Sequence, residues 1–219
     1  MPAERRCTSP PVAVASKRRA YARAPRSALA MARPPTTAAD TFVALLRGIN
    51  VGGKNKLPMR DLAALCTKLG CRDVRTYIQS GNVVFAAAPR VATRLAADLQ
   101  RGIADTFGAK VPVVVRSAAQ LRAVVAGNPW LARGVAAEQL HVAFLADPPA
   151  RAAVAGLDPK RSPGDAFVVA GQEVYLHLPN GVARSKLTNA WFDAQLDTVS
   201  TIRNWRTVLT LLEWTAART

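Results

Sequence analysis

Val74-Arg75-Thr76-Tyr77-Ile78-Gln79-Ser80-Gly81-Asn82-Val83-Val84-Phe85 is the stretch that sets the strand directions of this chain. Val74, Thr76 and Ile78 alternate with Arg75, Tyr77 and Gln79, the period of two that marks a half-buried strand. Ser80-Gly81-Asn82 is a tight-turn signal, because Gly and Asn accept positive φ, and Val83-Val84-Phe85 resumes a strand. A hairpin makes neighbouring strands antiparallel, whereas a nucleotide-binding α/β sheet needs parallel strands joined by crossovers.

Outward from the hairpin, both flanks read as helix and then strand. On the N-terminal side Pro58 opens a helix with Leu62, Leu65, Cys66 and Leu69 at i, i+3, i+4 and i+7. Asp61 lies in its first turn and Gly70 at its C-terminal end. It is preceded by a Gly- and Lys-rich loop, Gly48 to Leu57, and by the short apolar strand Thr41 to Leu46. On the C-terminal side Val91, Leu95, Leu99, Ile103 and Phe107 step by four along a helix that Gly108 closes, and Val111 to Val115 forms a strand whose Pro112 marks a strand start or an edge. The order βαββαβ is the ferredoxin-like unit.

The rest of the chain repeats it: a strand at Leu140 to Leu145, a short helix near Pro149 to Ala155, a hairpin of Ala166 to Val169 with Glu173 to Leu178, a helix starting at Ser185 and a strand near Val199 to Ile202. A terminal helix follows with Trp205, Val208, Leu209 and Leu212 on one face. The expected fold class is therefore α+β, two ferredoxin-like (βαββαβ) subdomains in tandem with a C-terminal helix. The expected divisions are a basic N-terminal extension over residues 1–40, a first subdomain over 41–116, a helical linker over 117–138 and a second subdomain with the terminal helix over 139–219.

The 219 residues are 50% hydrophobic and 20% charged, a composition that excludes a disordered chain, a coiled coil and a disulfide scaffold. No apolar run approaches the roughly 18 residues of a spanning helix, so no membrane partner is expected. The cysteines are Cys7, Cys66 and Cys71. This odd, sparse set suits a reducing cytoplasm, and with only His141 and His177 beside it a zinc site lacks ligands.

The net charge of +16 divides unevenly: the first forty residues hold eight Lys/Arg and two acids, so +6 belongs to the arm and +10 to the remainder. The arm reads as a basic tail, a transit peptide or the product of a start codon too far upstream. Met31, about ten residues before the first strand, tips the balance to an inert or artefactual arm.

Gly48-Ile49-Asn50-Val51-Gly52-Gly53-Lys54-Asn55 nearly spells the phosphate-cradling P-loop. Asn55 stands where a Ser or Thr would bind Mg²⁺, and the topology is wrong. What survives is a glycine-rich, cationic loop leading into a helix N-terminus, a setting that favours an anion, as do Arg184 and Lys186 beside Ser185-Lys186-Leu187-Thr188-Asn189. Arg203-Asn204-Trp205-Arg206 mixes a helix cap with two cations, and His141 and His177 read as satisfied or surface histidines within strands. Gly-x-Ser-x-Gly and His-x-x-x-His are absent and the acids are scattered, so no catalytic set or metal site is visible and the cofactor is unknown. The third strand carries one aromatic, too few for base stacking in the manner of an RNA-recognition motif.

Phe42 to Lys56, Thr76 to Phe85, Ser185 to Asn189 and Arg203 to Leu209 together resemble the bacterial domain-of-unknown-function 1697 family, over roughly residues 41–214. The resemblance implies a small cytoplasmic α+β protein, and the arm before residue 40 is foreign to its pattern. The expected function is binding of an anionic, phosphate-bearing small molecule by loops carrying Arg47, Asn50, Lys54, Lys56, Ser80, Asn82, Lys186 and Arg203. The alternatives are an enzyme acting on a phosphorylated or carboxylate substrate at these loops, and a nucleic-acid-binding or protein-interaction module. The +10 outside the arm implies weak nonspecific nucleic-acid adsorption at low salt whatever the function. Oligomeric state is not legible.

Overall fold

The computed structural model describes residues 41–53 and 55–216; the basic arm and Lys54 lie outside them. The described residues form two four-stranded antiparallel sheets and six α-helices. In chain order the elements are β1 (Thr41–Leu46), α1 (Met59–Lys68), β2 (Arg72–Tyr77), β3 (Asn82–Ala86), α2 (Pro89–Phe107), β4 (Val113–Ser117), α3 (Ala118–Ala126), β5 (Leu140–Leu145), α4 (Arg151–Ala155), β6 (Ala166–Ala170), β7 (Glu173–His177), α5 (Asn189–Leu196), β8 (Ser200–Asn204) and α6 (Trp205–Ala216). The first sheet runs β2-β3-β1-β4 and the second β6-β7-β5-β8.

Alternation along each central strand builds three apolar layers, since successive side chains leave opposite faces. Ala44, Leu46, Val83 and Phe85 pack with α1 and α2, while Val43, Leu45 and Val84 face the other way. That inner face meets Leu140, Val142 and Phe144 of the second sheet, together with Leu121 of α3 and Trp205, Val208 and Leu211 of α6. Ala143 and Leu145 turn outward to Phe192 and Leu196 of α5. Both faces of β1 and β5 are thus covered, which is why these strands read as continuous apolar runs.

Several boundaries differ from the sequence expectation. The fifth helix begins at Asn189, capped by the Thr188 Oγ1 that accepts from the Trp191 N–H at 3.2 Å. Ser185 instead closes a short 3-10 turn, and its hydroxyl accepts from the Leu187 N–H at 3.0 Å. β2 ends at Tyr77, leaving Ile78 in the turn with φ 48°. β4 starts after Pro112, whose carbonyl accepts from the Arg47 N–H at 2.9 Å.

The registers of the two sheets correspond residue by residue. Val43 faces Arg116 as Val142 faces Arg203, Phe42 faces Ser117 as His141 faces Asn204, and Leu45 faces Asn82 as Phe144 faces Glu173. The corresponding arginines then reach across to the opposite sheet. Arg116 donates to the Leu145 carbonyl at 2.6 Å and the Gln172 carbonyl at 3.2 Å, and pairs with Glu173 at 2.9 Å. Arg203 donates to the carbonyls of Leu46 and Ser80 and to Asn82 Oδ1 at 2.6 Å. Each half holds the other by the same positions, as in an isologous interface.

Candidate functional site

Five of the eight residues expected to bind a ligand meet where the sheets join. Arg47, just beyond β1, donates through Nη1 to Asp193 Oδ2 at 2.6 Å and to the Ser200 carbonyl at 2.8 Å. The other oxygen of that carboxylate accepts from the Ser200 N–H at 2.8 Å and hydroxyl at 2.7 Å. Asn50, with φ 54°, folds its loop by donating to the carbonyls of Leu57 (2.9 Å) and Gln79 (3.0 Å) and accepting from the Leu57 N–H at 2.8 Å. Ser80 Oγ accepts from Asn82 Nδ2 at 2.8 Å, and fully buried Asn82 accepts from Arg203. Lys56 and Lys186 are exposed on flanking loops. The Gly- and Lys-rich loop is therefore pinned by Asn50, and Arg47 is neutralised within the fold.

Beside this junction lies a groove of about 490 Å³. Ile78 and Ser80 of the β2–β3 turn form one side; His141, Ile202, Arg203 and Asn204 of the sheet, with Thr207 of α6, form the floor; Val182, Thr188 and Asn189 close the other side. α5 and α6 both begin here, so two positive dipole ends border it. Asn204 Oδ1 caps α6 by accepting from the Thr207 N–H at 2.8 Å.

Arg203 brings a full charge. Nε goes to Asn82, Nη1 to Thr201 Oγ1 at 2.7 Å and the Ile202 carbonyl at 2.9 Å, and Nη2 to the carbonyls of Leu46 and Ser80. Every acceptor is neutral. Burial of the guanidinium pulls its pKa down to about 10, so it remains a cation at neutral pH. The corresponding Arg116 has Glu173 beside it, and the corresponding groove of about 330 Å³, along α2 and β4, has Phe42 where this one has His141.

Sequence reasoning missed His141. It is 7% exposed and its Nδ1 has no hydrogen-bond partner. Burial lowers its pKa from 6.5, against a smaller opposite pull from the Gln139 backbone, so the ring is neutral at physiological pH. Nothing local distinguishes it from His177, whose Nε2 is paired with Gln139 Oε1 at 3.0 Å. Cys66 and Cys71 are buried free thiols; burial first, and the neighbouring Cys71 second, push Cys66 up to about 12, and burial pushes Cys71 up to about 11. Among the described residues no helix is long and apolar enough to cross a membrane, and no three His, Cys, Asp or Glu cluster as metal ligands.

An α+β chain of two reciprocally clasped antiparallel sheets with a cationic groove at their junction is the class that these features define. The chain matches the family described as Protein of unknown function (DUF1697) over residues 39–175, and belongs to it. Among solved structures it is similar to a conserved bacterial protein from Streptococcus pneumoniae, with a TM-score of 0.59 at 23% identity over 80% of this chain and 98% of that one. No curated protein matches it.

Proposed function

We propose that this protein binds a small anionic molecule, bearing phosphate or carboxylate, in the groove between the N-termini of α5 and α6. The observation that carries the reading is the Arg203 guanidinium, buried in the groove wall with only neutral acceptors around it. A cation in a poorly solvated wall attracts an anion far more strongly than one in water, and two helix N-termini add to the same field. Arg203 acts through its field, its N–H groups being committed to the fold. Direct hydrogen bonds come from the Asn204 amide, the Thr188 hydroxyl and the His141 ring. Lys56 and Lys186, exposed on flanking loops, would draw anions toward the mouth.

The recurrence of one strand order supports reading the halves, 41–116 and 139–219, as ferredoxin-like units in tandem joined by 117–138. Cys66 and Cys71, both free thiols among the described residues, agree with a cytoplasmic setting. Nonspecific nucleic-acid adsorption at low salt belongs to the same proposal, as a consequence of net charge alone.

The test supplies the missing carboxylate. Asn82→Asp places an acid against Arg203 where the other half has Glu173, nearly without change of volume. Inorganic phosphate should raise the melting temperature of the wild type by mass action. It should bind Asn82→Asp at least tenfold more weakly while that variant keeps its circular dichroism. Equal phosphate binding by both proteins would remove the basis for the assignment.

A further inference from the structure

The groove is built for more than a bare anion. Its floor joins buried His141 and Thr207 to Arg203, the exposed Asn204 and the apolar Ile202, and its rim carries Ile78, 55% exposed, and Val182, 48% exposed. Scattered exposed aliphatic residues are ordinary, so exposure alone says little. Conformation says more: Ile78 has φ 48°, a left-handed backbone that a β-branched side chain adopts only under strain. Gly81, with φ 74°, stands in the same turn and would take such a conformation freely. Strained residues of this kind persist where the surroundings over-determine them, and they gather at ligand clamps. One lip comes from the first half of the chain and the other from the second, and both border the same groove.

His141 is an independent pointer to a ligand. The position that corresponds to it in the first sheet is held by Phe42, so an apolar ring suits this place in the architecture. A buried ring nitrogen without a partner is destabilising where an aromatic hydrocarbon would not be, so a histidine here calls for a reason beyond packing. A volume of about 490 Å³ lies within the roughly 300–1,000 Å³ of small-molecule sites and far exceeds what a bare phosphate fills.

Resting on the anion-binding reading above, we infer that the ligand is a phosphate monoester of a flat apolar body, an aryl or nucleobase-bearing phosphate. Its head group lies over the floor of Arg203, Asn204 and His141, and its body is gripped between Ile78 and Val182. The head accepts a hydrogen bond from the His141 ring, which lines the groove, and the body covers the two exposed aliphatic lips.

Isothermal titration of the full chain with inorganic phosphate and with phenyl phosphate tests this. Phenyl phosphate should bind at least tenfold more tightly. Ile78→Gly and Val182→Ser should each bring the two affinities to within about threefold while inorganic phosphate changes less than twofold. Ile78→Gly should also raise the melting temperature, because glycine relaxes the turn, so lost discrimination cannot be ascribed to unfolding. His141→Phe should weaken both ligands. If inorganic phosphate binds but phenyl phosphate binds no better, or the two lip variants keep the wild-type ratio, the clamp is wrong and the anion site stands. If neither ligand binds, both readings fall together.

Discussion

Asn50 and Gly81 show how single side chains set the loops around the groove. Asn50 occupies the left-handed region, where asparagine is better tolerated than other non-glycine residues, and its amide closes three hydrogen bonds across its loop. Asn50→Ala loses all three and keeps the strained φ; Asn50→Gly loses the bonds but relieves the strain. Denaturant unfolding should place the alanine variant about 2–4 kcal/mol below wild type, and the glycine variant about 1 kcal/mol above the alanine one. Gly81 has φ 74°, and a Cβ there would stand 2.6 Å from the Leu46 Cβ and 2.9 Å from Ile49 Cδ1. Those neighbours are buried, and Leu46 belongs to the strand whose carbonyl Arg203 uses. A substitution here therefore strains the turn, the apolar core and the clasp together. The turn potential of Ser80-Gly81-Asn82 is legible in its residue types; that Asn82 is also the partner of a buried arginine 121 positions away is not.

Strands and helices carry the next level, and β5 makes it measurable. His141 has its pKa lowered from 6.5 by burial. The unfolded chain therefore takes up a proton near pH 6.5 that the folded protein accepts only at lower pH. The stability linked to this group is fully present above 6.5 and declines as pH falls toward the folded pKa. His141→Phe, copying Phe42 of the first sheet, should flatten stability against pH over that interval, read from urea midpoints between pH 7.5 and 5; an unchanged slope would assign the pH dependence to other groups. Helix α2 was legible because Leu95, Leu99 and Ile103 step along one buried face and Gly108, at φ 66°, ends it. The start of α5 was not, because Ser185 and Thr188 each accept from a backbone N–H two or three residues on. Both bonds give the same local signal. Only the packing of Phe192 and Leu196 against Ala143 and Leu145 decides which residue heads the helix.

At the scale of the molecule, the reciprocal clasps decide whether the two sheets behave as one folding unit. The strand orders were legible from alternation and turns, but the clasps depend on partners 57 and 121 residues apart, and no local pattern announces them. The two clasps also differ in kind. Arg116 is 3% exposed and faces the Glu173 carboxylate, 16% exposed; removing one member of such a pair leaves an uncompensated buried charge, typically at about 3–5 kcal/mol. Arg203 rests on neutral acceptors, so removing Asn82 strips one hydrogen bond and leaves no orphan anion. A double-mutant cycle of Arg116→Met with Glu173→Gln should therefore give a coupling energy of about 2–3 kcal/mol. The corresponding cycle of Arg203→Met with Asn82→Ala should give about 1 kcal/mol. Asn82→Asp should raise the second coupling toward the first, because it converts a neutral acceptor into a charged one in a buried site. If the change that tightens the clasp also abolishes phosphate binding, the unneutralised charge of Arg203 is what the second half keeps for its ligand, at the expense of a stronger join. Equal couplings in the two wild-type cycles would mean that Arg203 already has its charge balanced within the fold, and the groove would lose its attraction for an anion.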